Sequence, residues 1–214
     1  METMEMLLDG TESEVYDLEL NLLAKAKTYT GKMYGDFSLI FSEKPKKQLP
    51  EKIFLLLHLD EQSFISYLCT LSGELIETKD EQSGGKCYKI EVFNEEAETL
   101  KDELRVYTSF WAEVREEGRR QSVEVEVKDI SVGGIMFITE EKLDVKKTCS
   151  FTFWSGKKDI TVDVVIKMQR PVGIPGMFGY GGKFLYLSRN QEAEIRSFVF
   201  QQDIKRHHQS SRRR

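Results

Sequence analysis

The residues best equipped for chemistry sit together in one six-residue stretch, Asp129-Ile130-Ser131-Val132-Gly133-Gly134. It combines a carboxylate acceptor, a hydroxyl and two glycines. Backbone there can approach a ligand closely, while Asp129 and Ser131 bind neighbouring amides or the edge of a base. The same composition also makes an ordinary turn capped by its own Asp or Ser side chain, and composition leaves both readings open. The cations that a phosphate or a guanine would need stand upstream in two places. Lys101-Asp102-Glu103-Leu104-Arg105 ends 24 residues before Asp129, and Arg115-Glu116-Glu117-Gly118-Arg119 lies nearer. An arginine fork donates bidentately to phosphate oxygens or to guanine O6 and N7, whereas lysine supplies a point charge.

Charge confines that chemistry to the second half of the chain. Residues 1–98 hold 10 Lys, no Arg and 20 acids, a net of −10, and residues 99–214 hold 21 Lys plus Arg against 16 acids, a net of +5. All eleven arginines lie at or beyond Arg105. Other chemistries lack their residues. His58, His207 and His208 have no Cys or carboxylate at metal-ligand or triad spacing, so neither a metal site nor a catalytic site is expected. Cys69, Cys87 and Cys149 are odd in number and far apart, which argues for buried thiols rather than a disulfide framework. No Gly-x-x-x-x-Gly-Lys-Ser/Thr phosphate loop occurs, and Gly173 to Gly182 reads as a flexible connection. The basic tail His207 to Arg214 ends in three arginines beside a net acidic protein, a poor match to nucleic acid or membrane. The longest apolar run, Ile53 to Leu57, falls short of a membrane span, and Met1 to Asp9 lacks the basic start of a signal peptide, which places the protein in the cytoplasm.

The elements that must position these residues are mostly strands. Runs at Thr28–Tyr34, Phe37–Phe41, Lys52–Leu59, Phe64–Leu75 and Cys87–Phe93 alternate with turn signals near every tenth residue, a pattern for a small antiparallel barrel. Asn94 to Leu104 breaks the rhythm. Asn94 can cap a short helix there, with Ala97, Leu100 and Leu104 along one face. Strands resume at Val106–Val114, Ser122–Lys128, Gly134–Thr139, Cys149–Trp154, Ile160–Gln169 and Lys183–Ser188, enough for a second, six-stranded barrel. Trp111 and Trp154 fall on these strands and are assigned to the core. A closing helix over Asn190–His207 carries an apolar stripe of Ile195, Phe198, Val199 and Ile204. The expected organisation is mainly β. It has a barrel domain over residues 1–94, a joint over 95–105, and a second barrel with its helix and basic tail over 106–214.

With these residues in view, the second half resembles the PilZ family. That family's signature is Arg-x-x-x-Arg before the first barrel strand and Asp/Asn-x-Ser-x-x-Gly after the second. Asp129, Ser131 and Gly134 match the second part, and Gly181-Gly182-Lys183-Phe184 resembles the family's late Gly-x-x-Phe strand start. For the first part, Arg115 and Arg119 have the right letters but fall at a hairpin tip. That tip is about six residues, or roughly 20 Å, from the Asp129 end of the strand pair. Lys101 and Arg105 fit the topology, because the start of the first strand neighbours the end of the second. Lysine replaces the first arginine there, and residues 95–105 carry a local net of −3. Lys101 and Arg105 also suit ordinary i,i+4 surface ion pairing on the joint helix.

The resemblance implies a six-stranded barrel that binds cyclic di-GMP as a ligand through Lys101, Arg105, Asp129, Ser131, Gly133 and Gly134, with no cofactor. A first barrel of about 95 residues joined to it is similar in arrangement to the flagellar-brake proteins, with a split-barrel-like N-terminal domain. There, ligand binding reorients the domains and alters contacts with a protein partner such as a flagellar motor component. Two functions follow from the resemblance. One is a non-enzymatic cyclic di-GMP regulator of motility or surface behaviour, a monomer or weak dimer acting on a protein and not on nucleic acid or membrane. The other is a PilZ-like adaptor that no longer binds the nucleotide, which Lys101 and the acidic joint would permit.

Overall fold

The computed structural model describes residues 10–31, 35–59, 64–79, 84–95 and 104–211. It divides into two compact units, Met1–Thr99 with Pro171–Pro175 and Leu100–Arg170 with Gly176–Arg214. Each unit holds a closed antiparallel barrel of six strands.

The first barrel is built from β1 (Thr11–Tyr16), β2 (Leu22–Thr30), β3 (Asp36–Phe41), β4 (Lys52–His58), β5 (Phe64–Leu71) and β7 (Lys86–Asn94), with a short β6 (Ile76–Lys79) added. The sheet order β3-β2-β1-β4-β5-β7 closes through pairing of β3 with β7. Its core comes from β4, where Ile53 to Leu57 are all buried, and from Leu39, Tyr67 and Val92. The strand expected over Phe64–Leu75 is split. β5 pairs with Val92 to Asn94 of β7 and β6 with Lys86 to Lys89, so the two share one edge of the same strand. The break falls at Ser72-Gly73, where the Ser72 amide donates to the Glu91 carbonyl at 3.0 Å.

β1 has no counterpart in the apolar pattern because its inward positions are partly polar. Ser13 and Thr28 are buried and bond to each other at 2.9 Å, and the Ser13 hydroxyl donates to the Ala26 carbonyl at 2.9 Å. Asn94 stands directly before the helical residue Glu95. It is the buried last residue of β7, and its amide donates to the Gly35 carbonyl at 2.8 Å. Most of the helix expected beyond it, residues 96–103, lies outside the described residues.

The second barrel runs β8 (Val106–Glu116), β9 (Val123–Ile130), β10 (Gly134–Thr139), β11 (Thr148–Trp154), β12 (Asp159–Arg170) and β13 (Phe178–Leu185), in the ring order β10-β13-β12-β11-β8-β9. Alternation decides the faces: Val123, Val125 and Val127 point into the core with Phe137, Phe151, Ile166 and Tyr180. β13 starts five residues earlier than its apolar letters suggest, inside the glycine-rich stretch read as a connection. The glycines are there because the sheet is tight. A Cβ on Gly182 would lie 2.5 Å from Val164 Cγ1, and one on Gly181 2.9 Å from Arg170 Nε.

The closing helix, α1 (Arg189–Ser211), begins with a capping box: the Ser188 hydroxyl accepts from the Gln191 amide at 3.2 Å, and Gln191 Oε1 accepts from the Ser188 amide at 2.9 Å. Ile195, Phe198 and Val199 are buried, and Phe198 meets Phe110 edge-on at 5.2 Å and Phe153 at 5.0 Å. Ile204 departs from the expected stripe and is exposed. The two tryptophans depart further. Trp111 and Trp154 are on the outside of the barrel, because their strand neighbours Ala112 and Phe153 take the inward positions. All three cysteines are buried and unbridged, and burial pushes the Cys149 thiol up to about 11. No helix among the described residues is long and apolar enough to cross a membrane.

Candidate functional site

Antiparallel pairing of β8 with β9 sets Val106 opposite Ile130 and Tyr107 opposite Asp129. Arg105, one residue before β8, is thereby delivered to the end of β9. Its guanidinium donates through Nη1 to Asp129 Oδ1 and through Nη2 to Ser131 Oγ at 3.4 Å. Asp129 is buried and Arg105 is 28% exposed, so the pair spans the barrel rim from core to solvent. A guanidinium has five N–H donors, and these bonds engage two of them.

The turn behind the pair is tied down at each step. The Ser131 amide donates to the Gly134 carbonyl at 2.8 Å, and the Phe184 amide donates to the Gly133 carbonyl at 3.1 Å. The Ser131 hydroxyl also reaches the Gly134 carbonyl at 3.4 Å. Gly134 is a glycine for a reason that turn chemistry does not reveal: a Cβ would fall 2.3 Å from the Gly182 carbonyl oxygen of β13. The sequence stretch thus does two jobs. Asp129 and Ser131 hold the arginine, while Gly134 lets two strands close. Lys101 lies outside the described residues.

The alternative arginines are at the far end of the β8–β9 hairpin. Val123, which opens β9 at the hairpin, is six residues from Asp129, about 20 Å of strand. Arg115 is exposed, but Arg119 is not simply a solvated charge. It pairs through Nε with the buried Glu116 carboxylate and through Nη1 with Glu141 at 3.1 Å, while Glu116 also accepts from the Asp144 amide at 2.9 Å. Arg119→Ala is therefore expected to lower stability by about 2 kcal/mol, since a buried carboxylate loses its cation. Chemical denaturation checks this, and an unchanged midpoint would show that Glu116 needs no cation.

One grouping lies beyond sequence spacing. β1 pairs with β4 so that Glu14 faces Leu56, and His58 Nε2 then sits 3.4 Å from Glu14 Oε2. Tyr16 donates to the same carboxylate at 2.7 Å, and Lys25 is 3.3 Å from it. Burial works to raise the Glu14 pKa, but bonds from Tyr16, Lys25 and His58 outweigh it and hold the carboxyl below its usual value. Burial and the Glu14 carboxylate push the Tyr16 phenol upward. His58 thus has a carboxylate partner that strand register supplies. The group is an ion cluster without a nucleophile, and no cluster of three or more His, Cys, Asp or Glu suited to a metal occurs among the described residues.

The PilZ domain family matches residues 99–201, the segment containing Arg105, Asp129 and Ser131. Residues 99–201 form a PilZ domain. The whole two-barrel chain also aligns with solved structures. One is YcgR of Escherichia coli in complex with c-di-GMP, at 9% identity and a TM-score of 0.56, covering 98% of this chain and 91% of that one. Another is the K. pneumonia MrkH–c-di-GMP complex, at 16% identity and a TM-score of 0.52, covering 96% and 93%. At such identities the likeness is one of fold, and it extends from the PilZ domain through the first barrel. No curated protein matches the chain at a significant level.

Proposed function

We propose that this PilZ-domain chain is a cyclic di-GMP effector, a regulator and not an enzyme, whose ligand site is Arg105, Asp129, Ser131 and the Gly133-Gly134 backbone, with Lys101 as a second cation. The observation that carries the reading is the junction of Arg105 with Asp129 and Ser131 at one rim of the PilZ barrel. A guanidinium held there by a buried carboxylate is pre-oriented for a guanine edge or a phosphate, so little freedom is lost on binding. Asp129 and Ser131 accept and donate at the other guanine edge. The residues fit a doubly anionic, doubly guanine-bearing ligand. YcgR and MrkH, which share the two-barrel fold, are each seen with c-di-GMP.

In this reading the joint, placed at residues 95–105, carries two ligand contacts, and nucleotide binding biases the relative orientation of the two barrels through contacts made in one arrangement only. The output is a contact with a protein partner, in motility or surface behaviour and in the cytoplasm. The two-barrel order, similar to that of flagellar-brake proteins, supports this part.

A second reading is favoured by the same bonds. Arg105 is already partnered, and the acidic residues 95–105 carry lysine in place of the first arginine, as an adaptor that has lost its nucleotide would permit. Isothermal titration calorimetry with c-di-GMP, against GTP and cyclic di-AMP at the same salt, separates the two. Saturable micromolar or tighter binding supports the effector, and absence of heat from folded protein supports the adaptor. Lys101→Arg is expected to tighten c-di-GMP binding severalfold by restoring the planar fork. Unchanged affinity would remove Lys101 from the site.

A further inference from the structure

On the outer face of the second barrel, four strands set one row of side chains across the sheet. Glu126 on β9 stands opposite Trp111 on β8, and Asp159 on β12 opposite Trp154 on β11. The β8–β11 pairing ends with Ala112 opposite Phe153, and Trp111 and Trp154 each stand one residue beyond that last pair. The row therefore reads Glu126, Trp111, Trp154, Asp159, two indoles with a carboxylate at either end. Trp111 is 63% and Trp154 58% exposed. Glu113 and Glu124, paired across β8 and β9, are exposed in the adjoining row. Of the nearby lysines, Lys128 is bound to Glu126 at 2.7 Å and Lys158 to Glu194 at 2.6 Å, while Lys157 sits exposed at the β11–β12 turn.

Indoles left in water have no part in the barrel's core, and clustered aromatic surface of this kind marks a contact face. Electrostatics selects the occupant. Carboxylates around the indoles repel nucleic-acid phosphate and anionic lipid. A second copy docking the same face across a two-fold axis would bring acidic row against acidic row. A guanidinium or ammonium satisfies both features at once, stacking on an indole face while hydrogen bonding to a carboxylate beside it. We propose that this face docks a protein partner through an arginine- or lysine-rich segment, its cations seated on Trp111 and Trp154 and paired with Glu113, Glu124 and Asp159. The proposal names a partner class for the regulatory reading but needs no nucleotide, so its test is run without c-di-GMP.

The chain contains two tryptophans, so tryptophan emission, excited selectively over its eight tyrosines, reports on this face alone. Deca-arginine is expected to change the emission saturably, and deca-glutamate to leave it unaltered. With fluorescein-labelled deca-arginine, anisotropy should show at least tenfold weaker binding to the W111A/W154A double variant. That variant keeps the net charge of −5, so attraction by overall charge would leave its affinity intact. The E113Q/E124Q/D159N variant should weaken binding severalfold with both indoles present. Equal affinity of the double variant and the parent would overturn the proposal, as would failure of deca-arginine to bind. Sedimentation velocity showing a dimer of the parent that the double variant loses would assign the face to a second copy and also overturn it. Thermal melts confirm folding, and c-di-GMP titration of each variant separates failure of this surface from failure of the nucleotide site.

Discussion

Arg105→Ala is expected to weaken c-di-GMP binding at least 100-fold, a loss of about 2.7 kcal/mol. Charge-assisted hydrogen bonds from a guanidinium contribute roughly 1.5–3 kcal/mol each, so losing a single bidentate contact is enough for that effect. The variant also strips Asp129 of its cation, and a buried carboxylate without a partner disfavours the fold. Arg105→Lys separates the two effects: it returns a positive charge to Asp129 without the planar fork, so stability should recover further than affinity. Calorimetry paired with thermal melts reads both quantities. Wild-type affinity in folded Arg105→Ala protein would remove the arginine from the ligand site. The companion variant Arg115→Ala/Arg119→Ala should bind as the parent does, because those arginines belong to the opposite end of the hairpin.

The second large effect is on folding. Gly134→Ala is expected to cost about 3 kcal/mol and to lower the melting temperature by on the order of 10 °C, because the new Cβ meets strand backbone rather than a movable side chain. The clash is with the Gly182 carbonyl at 2.3 Å, across the β10–β13 pairing that helps close the barrel. Gly156→Ala makes the contrast. It has open space around it and a φ of +91°, so its cost is conformational alone, about 1 kcal/mol. Equal melting temperatures for the two variants would refute close approach as the reason for glycine at 134.

Where hydrophobic period and strand pairing agree, the second barrel is legible from its residues. Val123, Val125 and Val127 declare their faces, and the antiparallel return of β9 beside β8 is enough to choose Arg105 over Arg115 and Arg119 as the neighbour of Asp129. Legibility ends where an inward position is not apolar or an outward one is. β1 hides because Ser13 and Thr28 satisfy each other inside the first barrel, and the two tryptophans mislead because aromatic area is read as core. β13 hides behind glycines whose value lies in the distance to Val164 and Arg170 on another strand. The His58–Glu14 contact depends on register between strands some forty residues apart, which local spacing does not encode.

The strands at either end of residues 95–105 are anchored differently, and this has a mechanical consequence. β7 leaves the first barrel bonded on both edges at once: Phe93 is held by Asp36 of β3 and by Thr70 of β5. Fraying of that end must break pairs on two edges together. β8 enters the second barrel with Val106 and Tyr107 paired to β9, while its pairing to β11 begins only at Ala112. Fraying of that end breaks the Arg105–Asp129 bond and then the pairs at Val106 and Tyr107 in succession, on one edge only. Fraying beside residues 95–105 is therefore easier at the PilZ rim, where the arginine proposed to meet the ligand is the outermost fastening.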